Sequence, residues 1–416
     1  MRLRPYKNLA FAVLLPLAGC GVSHAVFGGG PDTSVGQTAA APSVFGYVVA
    51  DEPQAALAGQ QILNQGGNAA DAAAAEGFAM AVTLPSRAGL GGGGACIIKV
   101  PDAHGNQQPA SVLLFPPGAP ASGGGVRPAA VPAMARGLLA MEARYGALPF
   151  SSVIVPAERL AGGVPVSPAL ATDLAVVGPA LLADPNAAAV FGANGSVLTA
   201  GANLVQPDLA ATLEVLRTQG VPGFYQGGFA DELASAATAA GGAMTDADLA
   251  AALPGFTQPE ITRAGSDEVA FIPAAAPSGA VLPASAGFAA LDKNGGVVAC
   301  AVTMNNLFGT GRVAAGTGIL LAASPRAVPA PVLGAAIAYK PDSGNFIAAV
   351  TGTGQAGAAA AVADGMYNAL HNTPAAPVPD PGRANVIFCP GGVPGGEATC
   401  TASADPRGQG LAIGGR

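Results

Sequence analysis

Histidine, charge and cysteine are all scarce in this chain of 416 residues: three histidines, five cysteines and only 10% charged side chains. The histidines are scattered at His24, His104 and His371, and no CxxC or His-Cys cluster occurs, so no zinc site, no other metal site and no cofactor are expected. Beyond the N-terminus there is no block of basic residues, and the net charge is −7. A nucleic-acid partner, which needs a cationic face, is excluded on that ground. What the chain does have is small and apolar: half of it is hydrophobic, with 60 Gly and 37 Pro. That composition suits one large domain or two intimately packed ones, with ample surface for a core. Alanine and glycine are so frequent that helix propensity decides little, and caps and periodicity carry the reading instead.

The N-terminus reads as an export signal. Arg2, Arg4 and Lys7 precede an apolar run at 8–17 that is too short to span a bilayer. Leu17-Ala18-Gly19-Cys20 then looks like a bacterial lipoprotein signal, with 1–19 removed and Cys20 lipidated; a plain secretory signal cleaved nearby is the other reading. Residues 20–43, rich in Gly, Ser, Pro and Ala, form a flexible tether. The expected location is the bacterial cell envelope, lipid-anchored on the periplasmic side, with the membrane as a partner through Cys20. In an oxidising compartment Cys389 and Cys400, flanking a Pro/Gly loop, are expected to form a local disulfide. Cys96 and Cys300 lie in apolar strand-like runs and are expected as buried free thiols.

Residues 48–50 read as a strand, Asp51 with Pro53 as the cap and first turn of a helix at 54–65, and Asn68 as the cap of a second helix at 69–82. Four glycines at 91–94 precede a strand at 95–100. Without the Lys-Ser/Thr of a phosphate loop and without a following helix, they imply close packing or a wall of an active site. The richest stretch is 285–318. Ser285 and the apolar run 288–291 lead into the turn Asp292-Lys293-Asn294-Gly295-Gly296, followed by the apolar run 297–302 and then Thr303-Met304-Asn305-Asn306. Two apolar runs joined by such a turn predict a hairpin, and residues equidistant from the turn face one another, which sets Thr303 beside Ser285.

Residues 48–100 resemble the opening of the γ-glutamyltranspeptidase family, with its Gly-Gly-Asn-Ala helix junction and Gly-rich loop. The resemblance continues through Ala130-Val131-Pro132-Ala133-Met134, Arg144-Tyr145-Gly146-Ala147-Leu148-Pro149, Leu204-Val205-Gln206-Pro207-Asp208-Leu209-Ala210, and Gly241-Gly242 with Met244-Thr245-Asp246, where a capping Thr or Asp would start a helix. It closes on Ala404-Asp405-Pro406-Arg407. It implies an α+β fold, the four-layer αββα sandwich of the N-terminal-nucleophile hydrolases, with a large-subunit-like region at 44–284 and a small-subunit-like region at 285–416. It also implies that the chain cuts itself and exposes a hydroxyl residue whose new α-amino group, or a water beside it, is the base, so that no histidine is needed.

Counted back from Asp292, the family's nucleophilic threonine falls on Ser285 and scission between Ala284 and Ser285. Thr303 matches the supporting hydroxyl and Asn305 a substrate-contacting Asn. The two glycines whose backbone makes the family's oxyanion hole fall on Gln355 and Ala356. The glutamate-binding end departs from the pattern. Its carboxylate-gripping Arg falls on Pro116, its Asp on Ala327, and its Ser-Ser pair on Pro331 and Val332. Losing a buried Arg partner costs on the order of several kcal/mol of carboxylate binding. Arg87, Arg312 and Arg326 read as solvated loop charges, or, for Arg87 and Arg326, as relocated contacts to a different acyl group. Only five residues separate the Pro277-Ser278-Gly279 motif from Ser285, a short junction for self-cleavage. The expected function is an exported γ-glutamyltransferase-like amide hydrolase or acyltransferase acting on a small γ-glutamyl or other acyl-amide substrate. The alternative is an uncleaved, inactive relative serving as an envelope binding or scaffold lipoprotein.

Overall fold

The computed structural model describes residues 38–41, 46–121, 123–273, 284–329, 332–371 and 378–415. Two sheets lie face to face with helices outside each. The larger runs in the order Thr38–Ala41, Leu411–Gly415, Gly46–Ala50, Ser285–Asp292, Val297–Thr303, Gly93–Lys99, Ser111–Phe115 and Gly255–Thr257. The smaller runs Glu260–Ala264, Asp267–Phe271, Gly334–Tyr339, Phe346–Thr353, Arg383–Val393 and Thr401–Ser403. Every pairing is antiparallel except that of Thr38–Ala41 with Leu411–Gly415. Strands from before and after position 285 are therefore interleaved within one sheet.

The apolar pattern explains the layers. Ser285–Asp292 and Val297–Thr303 are buried at every position, because one face meets helices and the other meets the second sheet. One core, with Phe78, Phe288 and Val298, lies between the helices and the larger sheet. A second, with Leu291, Val297, Ile337 and Ile387, lies between the sheets, and a third, with Val350 and Met366, lies under the Ala358–Leu370 helix. This is the αββα sandwich. The Ala69–Thr83 helix is buried along its whole length, which its run of alanines permits: only small side chains let it sit between neighbours on all sides.

Glu52, not Asp51, caps the Pro53–Asn64 helix; its carboxylate accepts from the Ala55 N–H at 2.9 Å. Asn68 caps the next helix in a reciprocal box with Asp71. The same two side chains reach further. Asn68 Nδ2 donates to the Tyr145 carbonyl at 2.6 Å, and Asp71 accepts from the Ala147 and Leu148 N–H groups. The Ala69 N–H in turn donates to Asp292 Oδ2 at 3.0 Å, while Asp292 Oδ1 holds the N–H groups of Asn294 and Gly296. The Gly-Gly-Asn-Ala junction thus pins both the Tyr145 turn and the tip of the central hairpin. Thr245 caps the Asp246–Ala251 helix, completing a box with Asp248.

Cys389 is bonded to Cys400. Cys96 and Cys300 are not free thiols but a second disulfide. They stand directly opposite one another on neighbouring strands, with Cα atoms 4.1 Å apart, a pairing that only the sheet order creates. The four glycines are close-packed: a Cβ on Gly92 would meet the Thr303 carbonyl oxygen, and one on Gly93 the Phe115 carbonyl. The Pro277-Ser278-Gly279 motif lies outside the described residues.

Candidate active site

Ser285 begins its strand directly opposite Thr303, and the pairing runs without a break to Leu291 opposite Val297. Both hydroxyl residues are 2% exposed. Their bonds converge on the peptide before Ser285. Thr303 Oγ1 donates to the Ala284 carbonyl oxygen at 2.9 Å and the Met304 N–H to the same oxygen at 3.1 Å. Thr303 Oγ1 also accepts from the Asn305 N–H at 2.8 Å, which holds the hydroxyl's proton toward Ala284. Ser285 Oγ donates to Gln355 Oε1 at 3.2 Å, and the Ala284 N–H donates to that oxygen at 3.3 Å.

Asn305 has a left-handed backbone, φ 61°, and its Nδ2 donates to the Ala323 carbonyl at 2.8 Å and, more weakly, to that of Pro117 at 3.4 Å. Asn305 Oδ1, Gln355 Nε2 and Thr351 Oγ1 are buried with no hydrogen-bond partner. Thr351 comes from the second sheet and packs on Gly287, two residues past Ser285, where any Cβ would collide with its hydroxyl. At the same glycine, Asp51 Oδ2 accepts from the Gly287 N–H, and Asp51 Oδ1 accepts from Asn385 Nδ2, both at 2.8 Å. Burial pushes the Asp51 carboxyl up from its ordinary value, against the pull of these bonds and of the nearby Arg87 and Arg383 charges. Asn385 also accepts from the Asp405 N–H at 3.2 Å, and Asp405 pairs with Arg407, which ties the closing Asp-Pro-Arg motif to the Ser285 strand.

Ser285, Thr303, Asn305 and Gln355 are thus brought together. The other candidates are placed differently. Arg87 is neither a solvated charge nor a free anion contact, because its Nε and Nη2 are both taken by Asp173, at 2.8 and 2.6 Å, in a buried pair. Arg312 faces Asp184 at 3.6 Å. Arg326 is exposed and lies against Gly123, with its charge felt by Asp248. Ala356 is exposed, so it is the side chain of Gln355 that reaches Ser285. Pro116 and Ala327 are exposed and uncharged, Val332 is buried, and Pro331 lies outside the described residues, as do His24 and Cys20. His104 and His371 are exposed. Among the described residues no group of three His, Cys, Asp or Glu could hold a metal. Sequence reasoning missed Asp51 as a partner of the Ser285 strand, since nothing local to it signals a contact 236 positions away.

The sequence model of the γ-glutamyltranspeptidase family matches residues 55–286, more than half of the chain, and its match ends one residue past Ser285. The chain belongs to the γ-glutamyltranspeptidase family. Among curated relatives, the glutathione hydrolase proenzyme of Escherichia coli is 35% identical over 223 residues, which cover 50% of this chain and 38% of that protein. The acylase ACY 1 proenzyme of a Pseudomonas species is 34% identical over 227 residues, covering 49% of this chain and 40% of that protein. The matches therefore span well under half of the relatives' lengths. The crystal structure of a cephalosporin acylase from Bacillus halodurans overlays 94% of this chain and 98% of its own, with a TM-score of 0.73 and 18% identity, a likeness of fold. In this member of the γ-glutamyltranspeptidase family the hydroxyl pair lies at one end of the central hairpin. A cavity of about 1070 Å³, lined by Asn68, Arg144, Asp292 and Lys293 among others, opens at the opposite end.

Proposed function

We propose that the chain is an exported amide hydrolase or acyltransferase of the γ-glutamyltransferase type that cuts itself before Ser285 and then uses Ser285 as its N-terminal nucleophile. The observation that carries this reading is the setting of the Ala284 carbonyl. Two donors, Thr303 Oγ1 and the Met304 N–H, hold its oxygen where negative charge would develop, and a serine hydroxyl is the next functional group along the chain. In self-cleavage a bond forms from Ser285 Oγ to the Ala284 carbonyl carbon, the bond from that carbon to the Ser285 nitrogen breaks, and the hydroxyl proton ends on that nitrogen. Water then hydrolyses the ester, leaving a carboxylate on Ala284 and a free amine and hydroxyl on Ser285. The amine acts as base for attack on substrate, and the acyl group passes to water or to an amine acceptor.

The substrate class is a small acyl amide. With Pro116 and Ala327 where charged groups would grip glutamate, a less charged acyl group than γ-glutamyl fits better, and Asn305 Oδ1 offers an acceptor for an N–H on it. Lipidation at Cys20 would hold the enzyme at the cell envelope. The second reading, an uncut scaffold lipoprotein, is favoured by one observation: Ser285 and Ala284 are sealed from solvent in the intact chain, so without scission no substrate reaches them. Denaturing electrophoresis under reducing conditions and the mass of the reduced protein decide between them, since the Cys96–Cys300 bond would otherwise hold the pieces together. Two fragments, the smaller beginning at Ser285, are expected; a single chain that survives prolonged incubation would overturn the enzymatic reading.

A further inference from the structure

We infer that the side chain of Gln355 positions the Ser285 hydroxyl for self-cleavage and, being a neutral amide, limits its rate. This rests on the self-cleaving reading above but concerns a group that reading does not use. The side chain reaches Ser285 by way of the second sheet. The strand Phe346–Thr353 ends in Gly354, at φ 100°, and Gln355 follows at φ 55° in a left-handed conformation that a side chain adopts only at a cost. The cost is offset by what the bend delivers: Gln355, 6% exposed, lies with its oxygen against both sides of the Ala284–Ser285 peptide. The orientation of the amide follows from chemistry. A backbone N–H can only donate, so the Gln355 atom facing Ala284 N is the oxygen, and that oxygen is the acceptor for the serine hydroxyl. Its Nε2 is left buried and unpaired.

The consequence concerns the proton. No imidazole or carboxylate is hydrogen-bonded to Ser285 among the described residues. The group that receives its hydroxyl is an amide oxygen, which fixes the direction of the O–H but does not accept the proton at neutral pH. Positioning is therefore supplied and base strength is not. Asp51, whose carboxyl meets the Ser285 strand two residues further on, is committed to the Gly287 N–H and to Asn385.

Replacing one atom separates the two contributions. Gln355→Glu keeps the shape and the acceptor for both donors and adds a base. Gln355→Leu and the unbranched Gln355→Met keep the volume and remove the acceptor. The four full-length proteins, with Ser285→Ala as the uncut control, are incubated from pH 5 to 9 and the intact and cut masses followed with time after reduction of each sample, folding being checked by circular dichroism and melting. Gln355→Glu is expected to cut about 10²-fold faster than the native chain, with a rate that climbs as the introduced carboxyl ionises. Gln355→Leu and Gln355→Met are expected to cut at least about tenfold slower than the native chain where it cuts. Equal behaviour of the Glu variant and the native chain, whether both cut or both stay whole, overturns the inference, as does a gain that is flat with pH. The failures are distinguishable. If the native chain stays whole while Gln355→Glu cuts, the enzymatic reading of the native protein fails and the role of the amide stands. If the native chain cuts and all three variants match it, the reverse holds.

Discussion

Replacing Thr303 by valine tests the chemistry of the Ala284 carbonyl at a single atom. The substitution keeps the branched shape that fits the strand and removes only the hydroxyl that donates to that carbonyl at 2.9 Å. The Met304 N–H remains as the second donor. Removal of one of two such donors lowers the rate of an acyl-transfer step by about 10²–10³-fold, or about 2.7–4 kcal/mol of barrier. A second cost falls on the folded state, because the Asn305 N–H loses its acceptor in a buried site, worth about 1–3 kcal/mol. The two effects separate in the Thr303→Ser protein, which retains the hydroxyl and should cut near the native rate. The assay is the time course of fragment appearance in whichever background cuts, native or Gln355→Glu, beside a thermal melt of each protein. Undiminished cutting in a folded Thr303→Val protein would refute the assignment of the Ala284 oxygen as the site of developing charge.

Two further outcomes concern carboxyls that no chemistry uses. Glu76 is fully buried in the Ala69–Thr83 helix, neither oxygen has a partner, and burial raises its pKa well above 4.5, so it is held as the neutral acid. Glu76→Met should stabilise the fold by about 1–3 kcal/mol, and by more at alkaline pH where the acid is forced to ionise; a lower melting temperature at every pH would contradict this. Glu52 is pushed by burial from 4.5 to about 7, against the bonds it accepts from Thr83 and Ala55. Its folded pKa is raised, so its contribution to stability is complete below 4.5 and is lost as pH rises through about 7. The melting temperature of the native protein relative to Glu52→Gln should fall across that window, and a difference constant with pH would count against it.

Local signals carried much of the fold. The turn at 292–296 sets the register of the hairpin, and because side chains alternate strictly along a strand, that register alone puts Thr303 opposite Ser285. Asn68 was legible as a helix start because a cap acts within four residues; the box it closes with Asp71 is seen in the structure. What could not be read were contacts made by the order of the strands. Cys96 and Cys300 are 204 positions apart, and nothing near either residue shows that their strands are neighbours. Arg87 looked like a loop charge because Asp173, which buries with it, lies on a distant helix. Gln355 was read through its backbone, and the structure instead turns its side chain onto the serine, a choice made by the left-handed bend after Gly354.

The interleaving of strands in the larger sheet has a consequence for any cut before Ser285. Gly46–Ala50 and Gly93–Lys99 grip the Ser285 hairpin from both sides, and the Cys96–Cys300 bond staples one of these strands to it. The two pieces would be interlocked like the fingers of clasped hands and further tied by a covalent link. They could not part without the sheet coming undone, so a cut protein would sediment and elute as one body. Only unfolding under reducing conditions would free the pieces, and neither piece made alone would have a complete sheet on which to fold.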